Sequence, residues 1–298
     1  MPFDSAYEAI TEENDSHRWA FGTGFTDPLA GVDTSVPAGI DGADLAAYCL
    51  MLGDDALIMS HRLQQWLARA PELEEETALA NIALDLLGQA RLLLSRAGAA
   101  AAPRGVPGRT EDDFAFGRTE RAFRNVRLAE GSDGDLAALM ARLLVFSTWR
   151  LALLGQLRQS ADPVLAAVAA NGVKELAYHR DYAAQWVIRL GDGTDYSHER
   201  MAAGLAAVAP LVPELFEPTE VETRLAAAGV AVDPAGLRGE FDGVLAVVLP
   251  EATLEWPDLP GLAAISGMTG RDGMHTEEMG YLLAEMQSVA RAMPGATW

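Results

Sequence analysis

The feature that most constrains this chain is a helical pattern of apolar residues that begins near Asp44 and continues almost to the C-terminus. Within residues 72–97, apolar side chains recur at steps of three and four, which is the period of an α-helix and not of a strand. The positions are Leu79, Ile82, Ala83, Leu86, Ala90, Leu93 and Ala97. Strand-type alternation of β-branched residues is nearly absent, so the sequence predicts an all-α fold.

Breaks in the pattern divide it into four long helices and several short ones. We expect long helices over about 44–69, 72–97, 135–160 and 163–190, and short ones over about 197–209, 219–228, 234–249 and 272–292. Asp135 is the expected N-cap of the third long helix, and Pro163 occupies the favoured first turn of the fourth. This element order predicts a helical bundle with extra short helices.

The first 43 residues differ from the rest. They are rich in glycine and proline, and five acidic residues lie within the first 15 positions. Such a composition favours irregular structure over an independent core. We therefore predict an irregular N-terminal extension over 1–43 and one helical domain over 44–298.

Charge and cysteine content exclude several classes of protein. The chain has 22 basic and 43 acidic residues, a net charge of −21, which argues against binding to nucleic acid or to an anionic membrane. The single Cys49 excludes a disulfide framework and Cys-based metal sites. The most apolar long stretch, Leu136 to Leu157, is interrupted by Arg142 and Arg150. We therefore predict a cytoplasmic protein.

A bundle of this size raises the question of a carboxylate-bridged di-iron site. Such a site takes a Glu from each of two helices and a Glu-x-x-His pair from each of the other two. The residues three positions before the five histidines are Asn14, Ile58, Leu176, Asp195 and Asp272, so no Glu-x-x-His occurs. The helix over 135–160 also has no acidic residue after its first position. We therefore predict that this chain has no catalytic residue and no metal site.

The best remaining polar group combines Asp85, Glu175 and His179. Glu175 and His179 lie one turn apart on the fourth long helix, and Asp85 belongs to a polar line with Asn81 and Gln89 on the otherwise apolar second helix. Residues at this spacing can bind one metal ion or hydrogen-bond to each other. Three interpretations remain open: a core polar network, a degenerate metal site and a working metal site. The network is favoured because buried polar groups need partners.

Two smaller features have alternative interpretations. Asp195/His198 and Asp272/His275 are expected at helix starts, where Asp is a favoured N-cap, and His275 with Glu278 is expected to be solvated. A cation could balance Asp85 and Glu175 in place of a metal ion, and the candidates are Lys174 and, on the third long helix, Arg142 and Arg150. The alternative is that the long arginine side chains of this helix reach solvent.

A row of arginines recurs at every third position in an otherwise acidic chain. Guanidinium groups pair with phosphate and carboxylate in a bidentate manner, so the row could bind an anionic ligand or a partner. Alternatively, it could pair with acidic helices of the same chain. The candidates are Arg118, Arg121, Arg124 and Arg127. Glycine-rich phosphate loops and the G-x-S-x-G nucleophile motif are absent.

Five stretches, in order over about 45–298, resemble the C-subunit family of bacterial 1,2-phenylacetyl-CoA epoxidases. The longest is LGDDALIMSHRLQQWLARAPELEEETALANIALDLLGQAR, over Leu52–Arg91. The others are KELAYHRDY over Lys174–Tyr182, LGDGT over Leu190–Thr194, GVAVDP over Gly229–Pro234, and GMHTEEMGYLLAEMQSVARAMPGATW over Gly273–Trp298. The first 43 residues lie outside the resemblance.

The resemblance implies a ferritin-like fold and a non-catalytic role. It implies a homologous catalytic subunit that carries the di-iron site, small accessory subunits, and a reductase with flavin and iron–sulfur centres. The complex would use O₂ to epoxidise the ring of phenylacetyl-CoA in phenylacetate degradation. Two alternatives remain: a degenerate or active di-iron oxidase in its own right, and a free-standing helical binding module.

Overall fold

The fold is known from a computed structural model, which describes residues 29–103, 106–132, 134–262, 267–294 and 296. Within those residues the regular secondary structure is entirely helical, and the all-α prediction is confirmed. Most of the predicted N-terminal extension, residues 1–28, lies outside the described residues.

Ten α-helices occur in the described residues, together with short 3₁₀ turns. They are α1 Gly42–Gln64, α2 Leu73–Ala101, α3 Glu111–Phe116, α4 Leu136–Leu157, α5 Pro163–Gly191, α6 Asp195–Val208, α7 Glu220–Ala227, α8 Arg238–Glu251, α9 Glu277–Met286 and α10 Ser288–Ala292. The 3₁₀ turns are Glu120–Ala122, Arg127–Glu130, Ala209–Leu211, Pro213–Phe216, Pro234–Leu237 and Gly270–Asp272.

The ends of the long helices follow the local sequence. The Asp135 side chain accepts a hydrogen bond from the amide of Ala138 at the start of α4, and Asp162 caps α5 in the same way, with Pro163 in its first turn. These expected starts are confirmed.

Two predicted helix bounds were wrong. The first long helix ends at Gln64, because residues 65–69 tighten into turns with three-residue hydrogen bonds such as Trp66 N to Leu63 O. The predicted last helix is interrupted at Gly273, whose φ of 77° lies in the left-handed region, so that a 3₁₀ turn and two separate helices replace it.

The long helices form two pairs, α1 with α2 and α4 with α5, and α2 also packs against α5. By length and composition alone, α2 and α4 are apolar enough to cross a membrane. Inside the fold, 89% of the most apolar 18-residue window of α4 is buried, and Arg142 and Arg150 are buried with it. The arginine side chains of α4 therefore do not reach solvent, and that expectation was wrong.

The described part of the predicted extension is irregular and lies on the bundle. Four apolar side chains pack against the core: Leu29, Val32, Val36 and Ile40. Arg96 of α2 donates a hydrogen bond to the Ser35 carbonyl and also pairs with Asp162 at the start of α5. The division of the chain at residue 43 stays a prediction.

Candidate functional site

The three residues of the predicted polar group meet where α2 passes α5. His179 Nε2 lies 2.9 Å from Asp85 Oδ2, and the His179 ring is fully buried whereas the Asp85 side chain is 37% exposed. Glu175 Oε2 accepts a hydrogen bond of 2.8 Å from Gln89 Nε2. The structure thus brings the three candidates and Gln89 together, as two separate pairs that each cross from α2 to α5. Asn81 is exposed, so its expected place in the core network was wrong.

A buried guanidinium extends this group from α4. Arg150 Nε donates to Gln89 Oε1 at 3.0 Å, and its Nη2 donates to the Leu52 carbonyl at 3.2 Å. Burial lowers the pKa of Arg150 to about 10, while nearby carboxylates such as Glu175 oppose that shift. Burial also raises the pKa of the Glu175 carboxyl, and the charge of Asp85 adds to the effect. We call these five side chains the bundle network: Asp85, Gln89, Arg150, Glu175 and His179.

The chemistry of the bundle network favours a structural role. The Glu175 carboxylate is held by an amide, and a positive charge lies one hydrogen-bonded residue away. A guanidinium at that place opposes the arrival of a second cation through like-charge repulsion. In the part of the chain that the structure describes, the one set of three acidic or histidine ligands close enough to share a metal ion lies at the start of α2, at the surface: Glu72, Glu74 and Glu75.

A second set of carboxylates lies deeper, in the middle of α1. Asp54 and Asp55 are fully buried. Arg118 binds Asp54 through both terminal nitrogens, and Arg271 binds Asp55 through two bonds of 2.9 Å. Burial raises the pKa of the Asp54 carboxyl, and Arg118 opposes the shift. We call Asp54, Asp55, Arg118 and Arg271 the α1 cluster.

The α1 cluster also fastens backbone to the bundle. The amide of Arg124 donates to Asp54 Oδ2 at 2.8 Å, and the amide of Val126 donates to Asp55 Oδ1 at 2.8 Å. These bonds satisfy two amides of segment 117–126 that follow its 3₁₀ turn, where the backbone is extended. The α1 cluster therefore fixes this segment along α1.

A third buried carboxylate, Glu130, fastens the start of α9. It accepts bonds of 2.7 Å from both the amide and the hydroxyl of Thr276 and one of 2.8 Å from Asn125 Nδ2. His275 Nδ1 lies 2.6 Å from Glu130, and both side chains are fully buried. The expectation of a solvated His275 was therefore wrong.

The expected Asp caps are replaced by threonines. Thr194 is the N-cap of α6 and Asp195 is its first residue, while Asp272 closes a capping box with Thr269 in a 3₁₀ turn. His198 Nδ1 contacts the Gly191 carbonyl at 2.7 Å. Asp195 and His198 thus lie in the first turn of α6, whereas Asp272 closes a local turn and His275 pairs with the distant Glu130.

The arginine row is divided between interior and surface. Arg118 pairs with Asp54, and Arg127 is buried with its Nε 2.6 Å from Glu214 Oε2. Arg121 is exposed and Arg124 is half-buried. The spacing of three does not place the row on one face, because a 3₁₀ turn over Glu120–Ala122 leads into extended backbone.

Most of the deep ion pairs were not predicted from the sequence. Asp54 and Asp55 form no recognised motif, and both lie in the middle of α1. Their signal was present: two adjacent acids among apolar residues of a core helix require buried partners. No sequence pattern identified Arg271 and Glu214 as partners in buried ion pairs, since each is one charged residue among many.

Comparison with known proteins agrees with the resemblance found in the sequence. The family model described as phenylacetic acid catabolic protein matches residues 34–298. The chain is 42% identical over 254 residues to the C-subunit of the 1,2-phenylacetyl-CoA epoxidase of Escherichia coli (strain K12). That alignment covers 85% of this chain and 99% of the relative. The match with the family model, which extends over most of the bundle, shows that this chain belongs to the phenylacetic acid catabolic protein family.

Proposed function

We propose that this chain is a structural, non-catalytic subunit of a multicomponent di-iron monooxygenase that epoxidises the aromatic ring of phenylacetyl-CoA in phenylacetate degradation. The reaction and the existence of other subunits come from the name of the relative in Escherichia coli. The observation that carries the non-catalytic role is that the carboxylates inside the bundle are already engaged by side chains of the same chain.

Ligand supply supports this role. A coupled di-iron centre takes about six protein ligands, four carboxylates and two histidines. In α1 both central carboxylates are bound by arginines, α4 has no carboxylate, and Glu175 is bound by Gln89 beside Arg150. We therefore assign iron binding and O₂ activation to a homologous catalytic subunit.

The proposed complex also includes a reductase with flavin and iron–sulfur centres and small accessory subunits. In such a complex this chain would hold its partner in place and help to exclude water from the oxygen-activating site. We propose a cytoplasmic location for the complex. The burial of 89% of the apolar window of α4 inside the fold supports it.

Two residues of the arginine row are proposed as a contact site. Arg118 and Arg127 are engaged with carboxylates inside the chain, whereas Arg121 is exposed and Arg124 is half-buried, with its Nη1 donating to the Arg121 and Phe123 carbonyls. Guanidinium groups suit phosphate or carboxylate. We propose that Arg121 and Arg124 contact acidic groups of the partner or the phosphates of the CoA thioester.

The decisive experiment measures iron and activity in the isolated chain and in the assembled complex. We expect no stoichiometric iron and no oxidation of phenylacetyl-CoA by the isolated chain, even with the reductase and O₂. Activity should appear when the di-iron partner is added, together with a stable hetero-oligomer. About two iron ions per isolated chain, with an oxygen-reactive diferrous form, would favour a di-iron oxidase in its own right. A chain that assembles with none of the epoxidase subunits would favour the binding module.

A further inference from the structure

The two most apolar helices of the bundle differ in how far the fold covers them. The most apolar 18-residue window of α4 is 89% buried, whereas that of α2 is only 44% buried. Between Glu76 and Arg91, α2 has one charged residue, Asp85. A helix that is apolar around most of its circumference is expected to be buried on most sides. The chain alone thus leaves apolar surface of α2 in water.

The uncovered surface is one stripe along the N-terminal half of α2. Its exposed residues follow at steps of four, three and four, and we call them the α2 strip: Thr77, Asn81, Leu84 and Gly88. Leu84 is 50% exposed. Gly88 lies in the middle of the helix, and beyond its chain neighbours and the backbone of its own helix no described heavy atom lies within 4 Å of a Cβ built on it. Glycine lowers helix propensity and allows another backbone to approach closely, and contacts within the described residues do not account for it.

Aromatic and acidic groups complete this surface. Tyr178 of α5, one residue before the buried His179, is 51% exposed and stacks on Tyr182 at 6.3 Å between ring centroids. Asp85 lies between Asn81 and Gly88 along α2, and its carboxylate is 37% exposed while it contacts His179. The surface therefore combines the apolar Leu84 and the aromatic Tyr178 with the small polar side chains of the strip and one partly exposed carboxylate near its centre.

Electrostatic repulsion favours a different protein over a second copy of this chain as the molecule that covers the α2 strip. Two copies of this chain would bring together two net charges of −21. Packing about a two-fold axis through the α2 strip would also place the two Asp85 carboxylates near each other, and like charges at an interface disfavour association. A partner helix with an apolar face and one Lys or Arg opposite Asp85 matches both the apolar surface and the charge.

We propose that the α2 strip, together with Tyr178, is the surface on which a helix of another epoxidase subunit packs. Aliphatic side chains of that helix cover Leu84, its backbone approaches at Gly88, and its basic residue pairs with Asp85. This proposal rests on the proposed function, since it needs a hetero-oligomer, and it names the face of this chain that forms it.

The first test changes the α2 strip in the full chain, produced together with the other epoxidase subunits. Leu84→Arg keeps a good helix former but places a charge in the strip. Val247→Arg is the matched control, because Val247 is a helical residue of α8 that is 60% exposed. We expect Leu84→Arg to raise the dissociation constant of the complex at least tenfold and Val247→Arg to leave it unchanged. Circular dichroism and the unfolding temperature of each isolated variant separate this effect from misfolding.

The second test reports burial without disturbing the contact. Cys49 is the single cysteine of the chain and is buried, so a new surface thiol can be followed alone. We expect the thiol introduced by Asn81→Cys to react with a maleimide at least tenfold more slowly in the complex than in the isolated chain. The thiol introduced by Val247→Cys should react at the same rate in both.

The outcomes distinguish this inference from the proposed function. A complex that tolerates Leu84→Arg and leaves the thiol introduced by Asn81→Cys equally reactive overturns the inference and leaves the proposed function standing. If Leu84→Arg dissociates a homodimer of the isolated chain and spares the hetero-oligomer, the occupant is a second copy and the inference is overturned. A wild-type chain that forms no complex with the epoxidase subunits overturns both.

Discussion

The α1 cluster and the bundle network both place carboxylates inside the helices, but they differ in how completely the charges are paired. Asp54 and Asp55 are fully buried, and each binds an arginine through two bonds and a backbone amide through a third. In the bundle network, Asp85 has one histidine partner and stays 37% exposed, while Glu175 is bound by a neutral amide and is half-buried. For these four carboxylates, complete pairing accompanies complete burial, as the cost of desolvating a charge requires.

The two regions also have different structural roles. The α1 cluster joins α1 to segment 117–126 and to the turn over Gly270–Asp272, so it ties three distant parts of the chain together. The bundle network ties α2 to α5 directly beneath the surface that we propose for a partner. The α1 cluster is therefore expected to contribute most to the stability of the chain. Assembly with a partner would instead change the environment of the bundle network.

The largest effect is expected from breaking the α1 cluster. Asp55→Ala leaves Arg271 buried without its carboxylate, which costs about 3–5 kcal/mol of unfolding free energy. Urea denaturation of the isolated chain measures the loss. The matched control is Asp242→Ala, which removes an exposed ion pair with Arg238 in α8 and should cost little, since such pairs contribute little to stability.

If Asp55→Ala does not fold, the same ion pair can be tested by comparing a single variant at Asp55 with a double variant that also removes the charge of Arg271. Removing both charges with Asp55→Leu and Arg271→Met leaves neither of them unpaired. The double variant should therefore be more stable than Asp55→Leu alone. A single variant at Asp55 that loses no more stability than Asp242→Ala would contradict the contrast between the two regions.

Substitutions at two glycines compare the packed inner face of α5, at Gly172, with the exposed face of α2, at Gly88. A Cβ added to Gly172 of α5 would meet Leu154 Cδ1 at 2.6 Å and Gln89 Nε2 at 3.2 Å, so Gly172→Ala should cost about 1–3 kcal/mol. Gly88→Ala meets open space and should raise the stability of the isolated chain by about 0.5–1 kcal/mol, because alanine favours the helix. Thermal unfolding of both variants measures the two signs. If Gly172→Ala raised the stability as Gly88→Ala does, the inner face of α5 at Gly172 would not be tightly packed.

Variants of Arg121 and Arg124, the two residues of the arginine row outside the buried ion pairs, test binding and not folding. Changing Arg121 and Arg124 together to Ala should weaken binding of the partner or of the CoA thioester about tenfold while helicity is unchanged. Titration of the assembled proteins and circular dichroism measure the two quantities. The control removes two other exposed arginines, Arg158 and Arg189, and should have a smaller effect. Unchanged binding of both partner and thioester would make the pair purely structural.

The smallest effect is a pH dependence in the bundle network. Burial raises the pKa of Glu175 above 4.5, so the folded chain binds this proton more tightly than the unfolded chain. The stabilising contribution is complete below the ordinary pKa and is lost as pH rises through the raised value. As pH rises from about 4.5 through the raised pKa, the stability of Glu175→Gln should therefore improve relative to wild type. Urea denaturation at several pH values measures the difference, and a constant difference would contradict the shift.

The candidate site was only partly predictable from sequence. The motif of Glu175 and His179 drew attention because residues one turn apart share a helix face, and the structure does place their pairs between α2 and α5. The deeper Asp54 and Asp55 form no such motif. The arginine row looked uniform, yet the backbone after Ala122 is extended, so Arg118 and Arg127 turn inward and Arg121 turns outward.

The features that could be predicted from the sequence alone are those that depend on interactions between residues close together in the chain. Helix periodicity, the Asp135 cap and Pro163 act over three or four residues, so the order and kind of the long elements followed from the chain itself. The missing Glu-x-x-His motif and the family resemblance were equally visible there. What the tertiary structure decided is the pairing of charges: Asp54 binds Arg118, 64 residues away, and Asp55 binds Arg271, 216 residues away. Such pairs depend on which helices meet in the core, and burial in that core makes them obligatory.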